Sequence, residues 1–347
     1  MLHGALTFFK SPNITENKNY QSNYDLFLQL PKALCDYVLI PYFDLETKTE
    51  FAIHSEFSKD PIFKKTLWEC IAHGEEKLAE KILKVHPEWL FEKNTVTDLS
   101  GRTIVNVTPF QLAFGGHDVE MCQMMLPFTK DKESEILGQI HERFRPFSVE
   151  EKSYDFSKLI EAVTSKDEEK IENAFHHFKE DFKPRKIEKG WHFNVQNLCV
   201  AAKIASTRNK PWSPDQYDLF LAKCVGYLQY QLPVSYAQAY CNGLLNIIHN
   251  NKKVPIKRSL MLDNGASFYD TELLGESFII SSHPILDNIS SAVRIEKDIT
   301  ICCQDSPVRF HLDHSVYLDK LHNFKKAGMR QLVQELDKTQ SHRCIMC

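Results

Sequence analysis

Cysteine, histidine and acidic residues between positions 191 and 250 are the side chains best suited to chemistry in this sequence. A thiol enzyme needs a cysteine nucleophile, a histidine that takes its proton and a carboxylate that orients the histidine. The candidates are Cys199, Cys224 and Cys241 for the nucleophile, His192 and His249 for the base, and Asp215 and Asp218 for the orienting group. Cys224 lies in an apolar run and Cys199 follows Leu198, which is typical of buried structural thiols. A cysteine-dependent enzyme is therefore an alternative, not the main prediction.

Metal and nucleotide chemistry have little support in the sequence. Cys302-Cys303 with His311 and His314 could bind zinc in principle, but adjacent cysteines lack the usual Cys-x-x-Cys spacing of zinc ligands. The sequence has no glycine-rich loop of the kind that holds phosphate groups, and only 12 glycines in all. We therefore predict no metal, no organic cofactor and no catalytic residue.

The composition is that of a globular protein, since 43% of the 347 residues are hydrophobic and 25% are charged. Lysine and arginine number 42 against 46 acidic residues, and neither sign forms a long block. Proteins that bind nucleic acid through its phosphates normally carry a basic stripe, so we predict no nucleic-acid partner. The sequence shows neither a long apolar span nor a signal peptide, so most of the 10 cysteines are expected to be reduced and buried.

Helix-start signals organise the first part of the chain. Residues 1–22 are polar and predict a loosely ordered lead-in. Residues 23–68 predict three short helices, because acidic caps and prolines at the first helical position recur among apolar residues. The three starts are at Leu30-Pro31, Asp44 and Asp60-Pro61.

A weak internal repeat occupies residues 69–180. Each copy has a turn, acidic residues that suit the first turn of a helix, and apolar residues at helical spacing. Such units predict helix pairs that stack on their neighbours. The copies begin at Ala72-His73-Gly74, at Gly115-Gly116-His117 and at Lys166-Asp167, and Gly101-Arg102-Thr103 predicts a turn between the first two.

Residues 190–338 predict a C-terminal module that is mainly helical with a small sheet. The helical stretches are 193–205, 212–248, with a start at Ser213-Pro214-Asp215, and about Val316 to Lys338. The strand-like stretches are 277–280, 292–295 and 300–303. A polar, extended tail is expected at 339–347. The predicted fold class is mainly α.

The last four residues, Cys344-Ile345-Met346-Cys347, carry the sharpest local motif. A cysteine four residues from the end, followed by two apolar residues, resembles the motif that prenyltransferases alkylate. The resemblance implies a lipid on Cys344 and attachment to a membrane. One prenyl chain gives only marginal attachment, so a second membrane signal is expected. The alternatives are a chance cysteine and a redox or metal pair.

Residues 26–68 resemble an F-box, on Leu30-Pro31-Lys32-Ala33-Leu34, Val38-Leu39, Asp44-Leu45, Phe51-Ala52-Ile53-His54-Ser55 and Asp60-Pro61-Ile62-Phe63. The resemblance implies a three-helix module that docks on the Skp adaptor subunit of cullin-based ubiquitin ligases. A module of this size cannot bury all its apolar residues, which leaves an apolar face for a partner. The predicted contact residues are Leu30, Pro31, Leu34, Val38, Leu39, Leu45 and Phe51. Lys48 and Thr49 are polar where F-boxes usually carry apolar residues, and the alternative is a helical cap on the repeats.

The repeats resemble divergent ankyrin repeats, because Thr108-Pro109-Phe110-Gln111-Leu112-Ala113 is similar to the Thr-Pro-Leu-His-x-Ala motif of that family. In the family the threonine and the histidine fix the turn by hydrogen bonds. Gln111 stands in place of the histidine, so the resemblance implies only that helix pairs stack. Ankyrin repeats recognise other proteins and carry no chemistry of their own.

In their order along the chain, these motifs resemble host-directed F-box and ankyrin-repeat effectors of intracellular bacteria such as Legionella. The resemblance implies a protein secreted into a host cell, found in the host cytoplasm and at a host membrane. The F-box-like module would hold the ligase, the repeats or the C-terminal module would hold an unknown host target, and lipid on Cys344 would hold the complex at the membrane. The alternative is a scaffold that binds proteins through its repeats without any ligase.

Overall fold

The computed structural model describes residues 39–54, 57–144, 152–183, 185–207, 211–242, 257–262, 265–270, 278–282, 290–294 and 309–346. Helices dominate these residues, which confirms the mainly α prediction. The helices are α1 (Leu45–Ile53), α2 (Pro61–Lys64), α3 (Thr66–Ala72), α4 (Glu76–Val85), α5 (Pro109–Gly115), α6 (Val119–Met125), α7 (Glu133–Phe144), α8 (Ser157–Ser165), α9 (Glu168–Phe182), α10 (Gln196–Ser206), α11 (Pro214–Phe220), α12 (Tyr227–Tyr230), α13 (Val234–Cys241) and α14 (Arg309–Met346). The strands are β1 (Asn94–Thr97), β2 (Thr103–Val107), β3 (Lys186–Ile187), β4 (Phe278–Ser282) and β5 (Ser290–Arg294). Short 3-10 helices lie at Ile40–Tyr42, Pro87–Phe91 and Leu126–Phe128, and a π-helical segment, Leu221–Gly226, joins α11 to α12.

The buried apolar side chains form two cores. We call residues 39–144 the first lobe and residues 152–270 the second lobe, because each range supplies most of one core. The C-terminal helix α14 contributes to both cores and so spans the two lobes. Its buried apolar residues are Leu318 and Leu321 in the second core, and Met329, Leu332 and Leu336 in the first.

Helices α1 and α2 begin where the sequence predicts. The Asp44 side chain accepts a hydrogen bond of 2.7 Å from the Thr47 amide, and Asp60 accepts one of 3.0 Å from the Ile62 amide. Such caps satisfy amides that the helix itself leaves unpaired. The second predicted helix is therefore confirmed, and the third is confirmed at its start but divided into α2 and α3; the first, from Leu30, lies outside the described residues.

Two helix pairs stack behind α1. A turn at residues 73–75 joins α3 to α4, and a turn at 116–118 joins α5 to α6. Helix α3 packs on α5 and α4 packs on α6, as the repeat pattern predicts. Gly74 and His117 have φ angles of 75° and 55° in these turns. A histidine in this left-handed region is uncommon, so the contacts around His117 must offset its backbone strain.

Thr108 and Gln111 form a capping box at the start of α5. Thr108 Oγ1 accepts a hydrogen bond of 3.2 Å from the Gln111 amide, and Gln111 Oε1 accepts one of 3.1 Å from the Thr108 amide. Gln111 Nε2 also donates to the Gln139 carbonyl in α7 at 2.6 Å. Gln111 therefore fixes the start of α5 and connects it to α7.

A β-hairpin lies between the two stacked pairs, where the sequence predicts only a turn. Strand β1 pairs antiparallel with β2, and β3 joins the other edge of β2 in parallel. The strands are short and carry polar side chains at several positions, so apolar periodicity gives no signal for them. Gly101 has a φ of 86° and allows the hairpin to reverse direction next to Arg102.

The third helix pair, α8 and α9, forms as predicted but lies in the second lobe. Leu159 and Val163 of α8 and Phe175 and Phe178 of α9 are buried in the second core. Trp212 Nε1 donates a hydrogen bond of 2.9 Å to Thr164 Oγ1. The expectation that this pair continues the stack is corrected, because its apolar face meets residues that come later in the chain.

The C-terminal part confirms some predicted elements and corrects others. Helix α11 starts where predicted, with Ser213 and Gln216 forming a capping box, and β4 and β5, which overlap the predicted strands 277–280 and 292–295, pair antiparallel. The third predicted strand, 300–303, lies outside the described residues. The backbone of residues 339–346 is helical, so the expected extended tail is wrong. No glycine or proline follows Gly328, and nothing in the sequence therefore stops α14 at Lys338.

Candidate functional site

The predicted partner-binding residues do not share one environment. Leu39 and Phe51 lie in the first core, with 5% and 3% of their surface exposed. Leu45 is partly buried against the same core. The other predicted residues, Leu30, Pro31, Leu34 and Val38, lie outside the described residues. Leu39 and Phe51 therefore support the fold from inside, and a surface for a partner has to be built from the other members of the set.

Two polar residues of α1, Lys48 and Thr49, attach this helix to α3. Lys48 Nζ lies 3.0 Å from Glu69 Oε2. The fully buried Thr49 donates a hydrogen bond of 2.7 Å to the Leu45 carbonyl, and its hydroxyl is 3.7 Å from Cys70 Sγ. These contacts hold α1, the second helix predicted for the F-box-like segment, against the first helix pair.

The turns of both stacked helix pairs are covered by the second lobe. Ser235 Oγ in α13 donates a hydrogen bond of 2.8 Å to the Gly116 carbonyl. The His192 amide donates one of 3.1 Å to the Gly115 carbonyl, and Gln238 Nε2 donates one of 3.3 Å to the Gly74 carbonyl. We call this contact region, made by turns 73–75 and 116–118 with residues 191–193, α13, Arg258 and α14, the lobe junction.

Arg258 is the strongest ionic link in the lobe junction. Its guanidinium donates two hydrogen bonds to the Asp118 carboxylate, at 2.7 and 2.9 Å, and also binds Glu76 Oε2. Burial alone would raise the pKa of Asp118, but the charge and hydrogen bonds of Arg258 outweigh burial and hold that pKa below its ordinary value. Asp118 caps α6 and Glu76 starts α4, so a single arginine ties together the two stacked pairs.

Arg102 links the hairpin to the second lobe. The side chain is buried, with Nη1 donating to the Gln231 carbonyl at 2.6 Å and to the His192 carbonyl at 3.3 Å. Its Nε donates to Asp98 Oδ2 at 3.0 Å, and the guanidinium lies 5.6 Å from the centre of the Phe193 ring. The hairpin is therefore part of the connection between the lobes.

A buried cluster of histidines lies at the centre of the lobe junction. The His117 ring stacks on Trp191 with ring centres 4.2 Å apart, and the His322 ring centre is 5.7 Å away. His322 Nδ1 is 2.8 Å from the Tyr236 hydroxyl. Neither ring nitrogen of His117 has a hydrogen-bond partner, nor does Nε2 of His192. Lys325 Nζ, also buried, is 3.4 Å from the His117 carbonyl oxygen.

These histidines are held in the neutral form. Burial lowers the pKa of His192 to about 3 and that of His322 to about 4, and it lowers the pKa of His117 well below its ordinary value. A general base at neutral pH works best with a pKa near 7. His192, the sequence candidate for that role, is therefore poorly suited to it, and His249 lies outside the described residues.

The candidate thiol nucleophiles are also unsuited to catalysis. Burial raises the pKa of Cys199 and that of Cys241 to about 12, and Cys224 is fully buried. Reactive cysteines need the opposite shift, because the thiolate is the nucleophile. Cys199 and Cys224 thus belong to the second core, and Cys241 packs against it.

Among the residues that the structure describes, no group of three or more His, Cys, Asp or Glu side chains is arranged to hold a metal ion. Cys302 and Cys303 of the zinc alternative lie outside those residues. No described helix combines the length and apolar character needed to cross a bilayer. The backbone of Cys344 is in the last turns of α14.

The lobe junction contains functional candidates that sequence patterns did not single out. His117 is visible in the sequence only as a turn residue of the repeat, and Lys325 only as one of several scattered basic residues. Arg258 meets Asp118 across 140 residues of chain, a pairing that no local spacing indicates. Comparisons with protein-family models, with curated proteins and with solved structures found no match for this chain.

Proposed function

We propose that this chain is a non-catalytic adaptor that recruits a target protein to a cullin-type ubiquitin ligase through its F-box-like segment. The observation that carries the proposal is the firm attachment of α1 and α2 to the stacked helix pairs. Phe51 in α1 stacks on Phe63 in α2 with ring centres 5.0 Å apart, and both belong to the first core. A ligase-binding segment held this way would keep a bound target at a fixed position, which raises the local concentration of its lysines.

The chemistry of the described residues also favours binding over catalysis. The pKa values of the Cys199 and Cys241 thiols are raised, and that of His192 is lowered, all by burial. Each shift moves the group away from nucleophile or base activity at neutral pH. The host target would then bind to the surfaces of the two lobes outside the lobe junction, since the turn edge of the repeats is already covered.

A pull-down with purified Skp adaptor tests the ligase proposal. We expect the full chain to retain the adaptor and the double variant Leu30→Asp, Pro31→Ala to lose at least tenfold in binding. Val85→Asp is the matched control, because it places the same charge on an exposed apolar residue of the repeats, 49% exposed. Equal retention by the double variant and the wild type contradicts the proposal.

A second candidate, a scaffold without a ligase, is favoured by the contacts of α1. Lys48 and Thr49 face α3, so this helix has the contacts expected of a cap on the repeats. The scaffold is the correct function if two results are obtained together. The folded wild type fails to bind the Skp adaptor, and it binds a host protein whose binding is abolished by surface substitutions on the repeats.

Membrane placement through a lipid on Cys344 completes the proposal, supported by the motif Cys344-Ile345-Met346-Cys347. We expect the wild type at membranes of host animal cells and Cys344→Ser diffuse in the cytoplasm. Cys241→Ser, at a partly buried cysteine of the second lobe, is the control and should localise like the wild type. Unchanged localisation of Cys344→Ser excludes this part of the proposal.

A further inference from the structure

The turn that carries His117 is enclosed from three directions. Trp191 covers one face of the imidazole, with an angle of 20° between the rings. Tyr236 from α13 approaches edge-on at 5.9 Å, and His322 from α14 lies at 5.7 Å. His117 as a whole is 2% exposed, and neither of its ring nitrogens is hydrogen-bonded. A proton added to His117 would therefore have no acceptor in the closed junction.

The charged groups around His117 oppose a positive ring. Lys325 and Lys326 on α14 both disfavour its protonated form. The neighbouring carboxylate of Asp118 is engaged with Arg258 in two hydrogen bonds. Glu120 Oε2 is 4.0 Å from Lys325 Nζ and is directed toward that lysine. Asp118 and Glu120, the acidic residues nearest to His117 in the chain, therefore lie against other cations.

The other two junction histidines have similar surroundings. Next to His192, Arg102 and Arg143 disfavour a positive ring. Asp98 favours one, but its carboxylate is paired with Arg102, and burial still lowers the pKa of His192. A Cβ atom on Gly115 would collide with His192 Nε2, so there is no room for water between them. His322 faces Lys326 and bonds the hydroxyl of Tyr236. Burial and the neighbouring cations therefore favour the neutral form of all three imidazoles in the closed junction.

We propose that the lobe junction is a proton-sensitive lock, closed while His117, His192 and His322 are neutral and opened when they bind protons. Opening separates turns 73–75 and 116–118 from α13 and from residues 191–193. It exposes the carbonyl oxygens of Gly74, Gly115 and Gly116 and the carboxylate of Asp118, which the second lobe covers in the closed form. This conformational device is independent of whether the chain binds a ligase.

The direction of the effect follows from linkage. The open form has ordinary histidine pKa values near 6.5 and the closed form has lower ones, so the open form binds more protons below pH 6.5. The closed form has its full stability well above pH 6.5. This stability falls as the pH drops through 6.5 toward the lowered pKa values of the closed form. At pH 5.5 each histidine favours opening by about tenfold, and three together by up to about 1000-fold. Asp118 stays ionised in this window because Arg258 lowers its pKa.

Hydrogen–deuterium exchange of the full chain at pH 7.5, 6.5 and 5.5 tests the lock. The readout is the opening constant after correction for intrinsic exchange rates, for junction amides such as His192, which bonds the Gly115 carbonyl, and for core amides of α3. We expect junction opening to increase at least 30-fold between pH 7.5 and 5.5 while α3 changes less than threefold. Junction and α3 amides that lose protection together indicate global acid unfolding and overturn the proposal.

Histidine variants provide the second measurement. His117→Asn removes the titrating ring but tolerates the left-handed backbone, and His322→Gln keeps an acceptor for Tyr236. Each should reduce the pH-dependent increase in junction opening by about tenfold. His176→Gln on α9 is the matched control, because that histidine is exposed and should leave the increase unchanged. If the pH-dependent increase in junction opening is the same in both junction variants as in the wild type, the proposal is also overturned. If either variant fails to fold, the comparison of junction and α3 amides in the wild type still tests the proposal.

Discussion

The first core and the lobe junction hold the same chain together by different means. Beneath α1 the contacts are apolar, with Phe51 in ring contact with Phe43, Phe57 and Phe63. At the junction the contacts are made by arginine, histidine and backbone carbonyls, all largely removed from water. Apolar packing depends little on pH and tolerates changes of detail, whereas buried polar groups need specific partners and a specific protonation state. One region therefore supplies stability, and the other sets how the lobes are joined.

Phe51→Ala should have the largest effect on the apolar side of this comparison. It removes a ring that is 3% exposed and leaves a cavity, so the free energy of unfolding should fall by about 3–5 kcal/mol. Urea unfolding at pH 7.5 and 5.5 measures the loss, which should be the same at both values. A loss that grows at pH 5.5 would show that the first core takes part in the pH response and would remove the contrast.

Arg258→Met should destabilise the polar side by about 3 kcal/mol at pH 7.5, because the buried carboxylate of Asp118 loses its partner. Without Arg258, burial raises the pKa of Asp118, so the carboxylate can take up a proton and the deficit should shrink as the pH falls toward 4. Urea unfolding over this pH range measures both effects. Lys81→Met is the control, since its exposed pair with Glu50 should contribute under about 1 kcal/mol. If both variants lose the same free energy of unfolding, the Arg258 pair contributes no more to stability than an exposed ion pair.

Gly115→Ala should cost about 1–3 kcal/mol, because the added methyl group would overlap the His192 ring. The displaced ring would also loosen the junction, so exchange of the His192 amide should increase while the core of α3 stays protected. Protection of that amide at the wild-type level would show that the junction can absorb a methyl group.

Gly138→Ala should have the smallest effect on the free energy of unfolding, and this effect should be stabilising. Gly138 lies on the exposed side of α7, and a Cβ atom there would meet nothing within 4 Å. Alanine should therefore raise the free energy of unfolding by about 0.5–1 kcal/mol through helix propensity. Thermal unfolding of the two glycine variants side by side isolates the effect of position, because the chemical change is identical.

Local signals predicted the helices well and the arrangement of helices poorly. The caps at Asp44, Asp60 and Ser213 are all at predicted starts, because a cap depends on residues within one turn of each other. The hairpin was missed because its strands are only four and five residues long and show no regular alternation of apolar and polar residues. The third helix pair was assigned to the stack because its apolar face gives no information about which core receives it.

The candidate site was predictable only in part. Leu39 and Phe51 are apolar residues at the right spacing for a partner surface, yet spacing does not distinguish a face that meets a partner from one that meets the chain's own core. The same limit explains why the cysteines of the second lobe looked like candidate nucleophiles, since the burial that raises their pKa is a property of the folded chain.

The sequence by itself determined the helical class, the helix starts and the two adjacent helix pairs, because these depend on side chains a few positions apart. Only the tertiary structure decided that Arg258 joins Asp118 and Glu76, that His117 stacks on Trp191, and that α14 crosses both cores. These contacts join residues far apart in the chain. Burial strengthens the interactions between their charges and shifts their pKa values away from those of the isolated side chains.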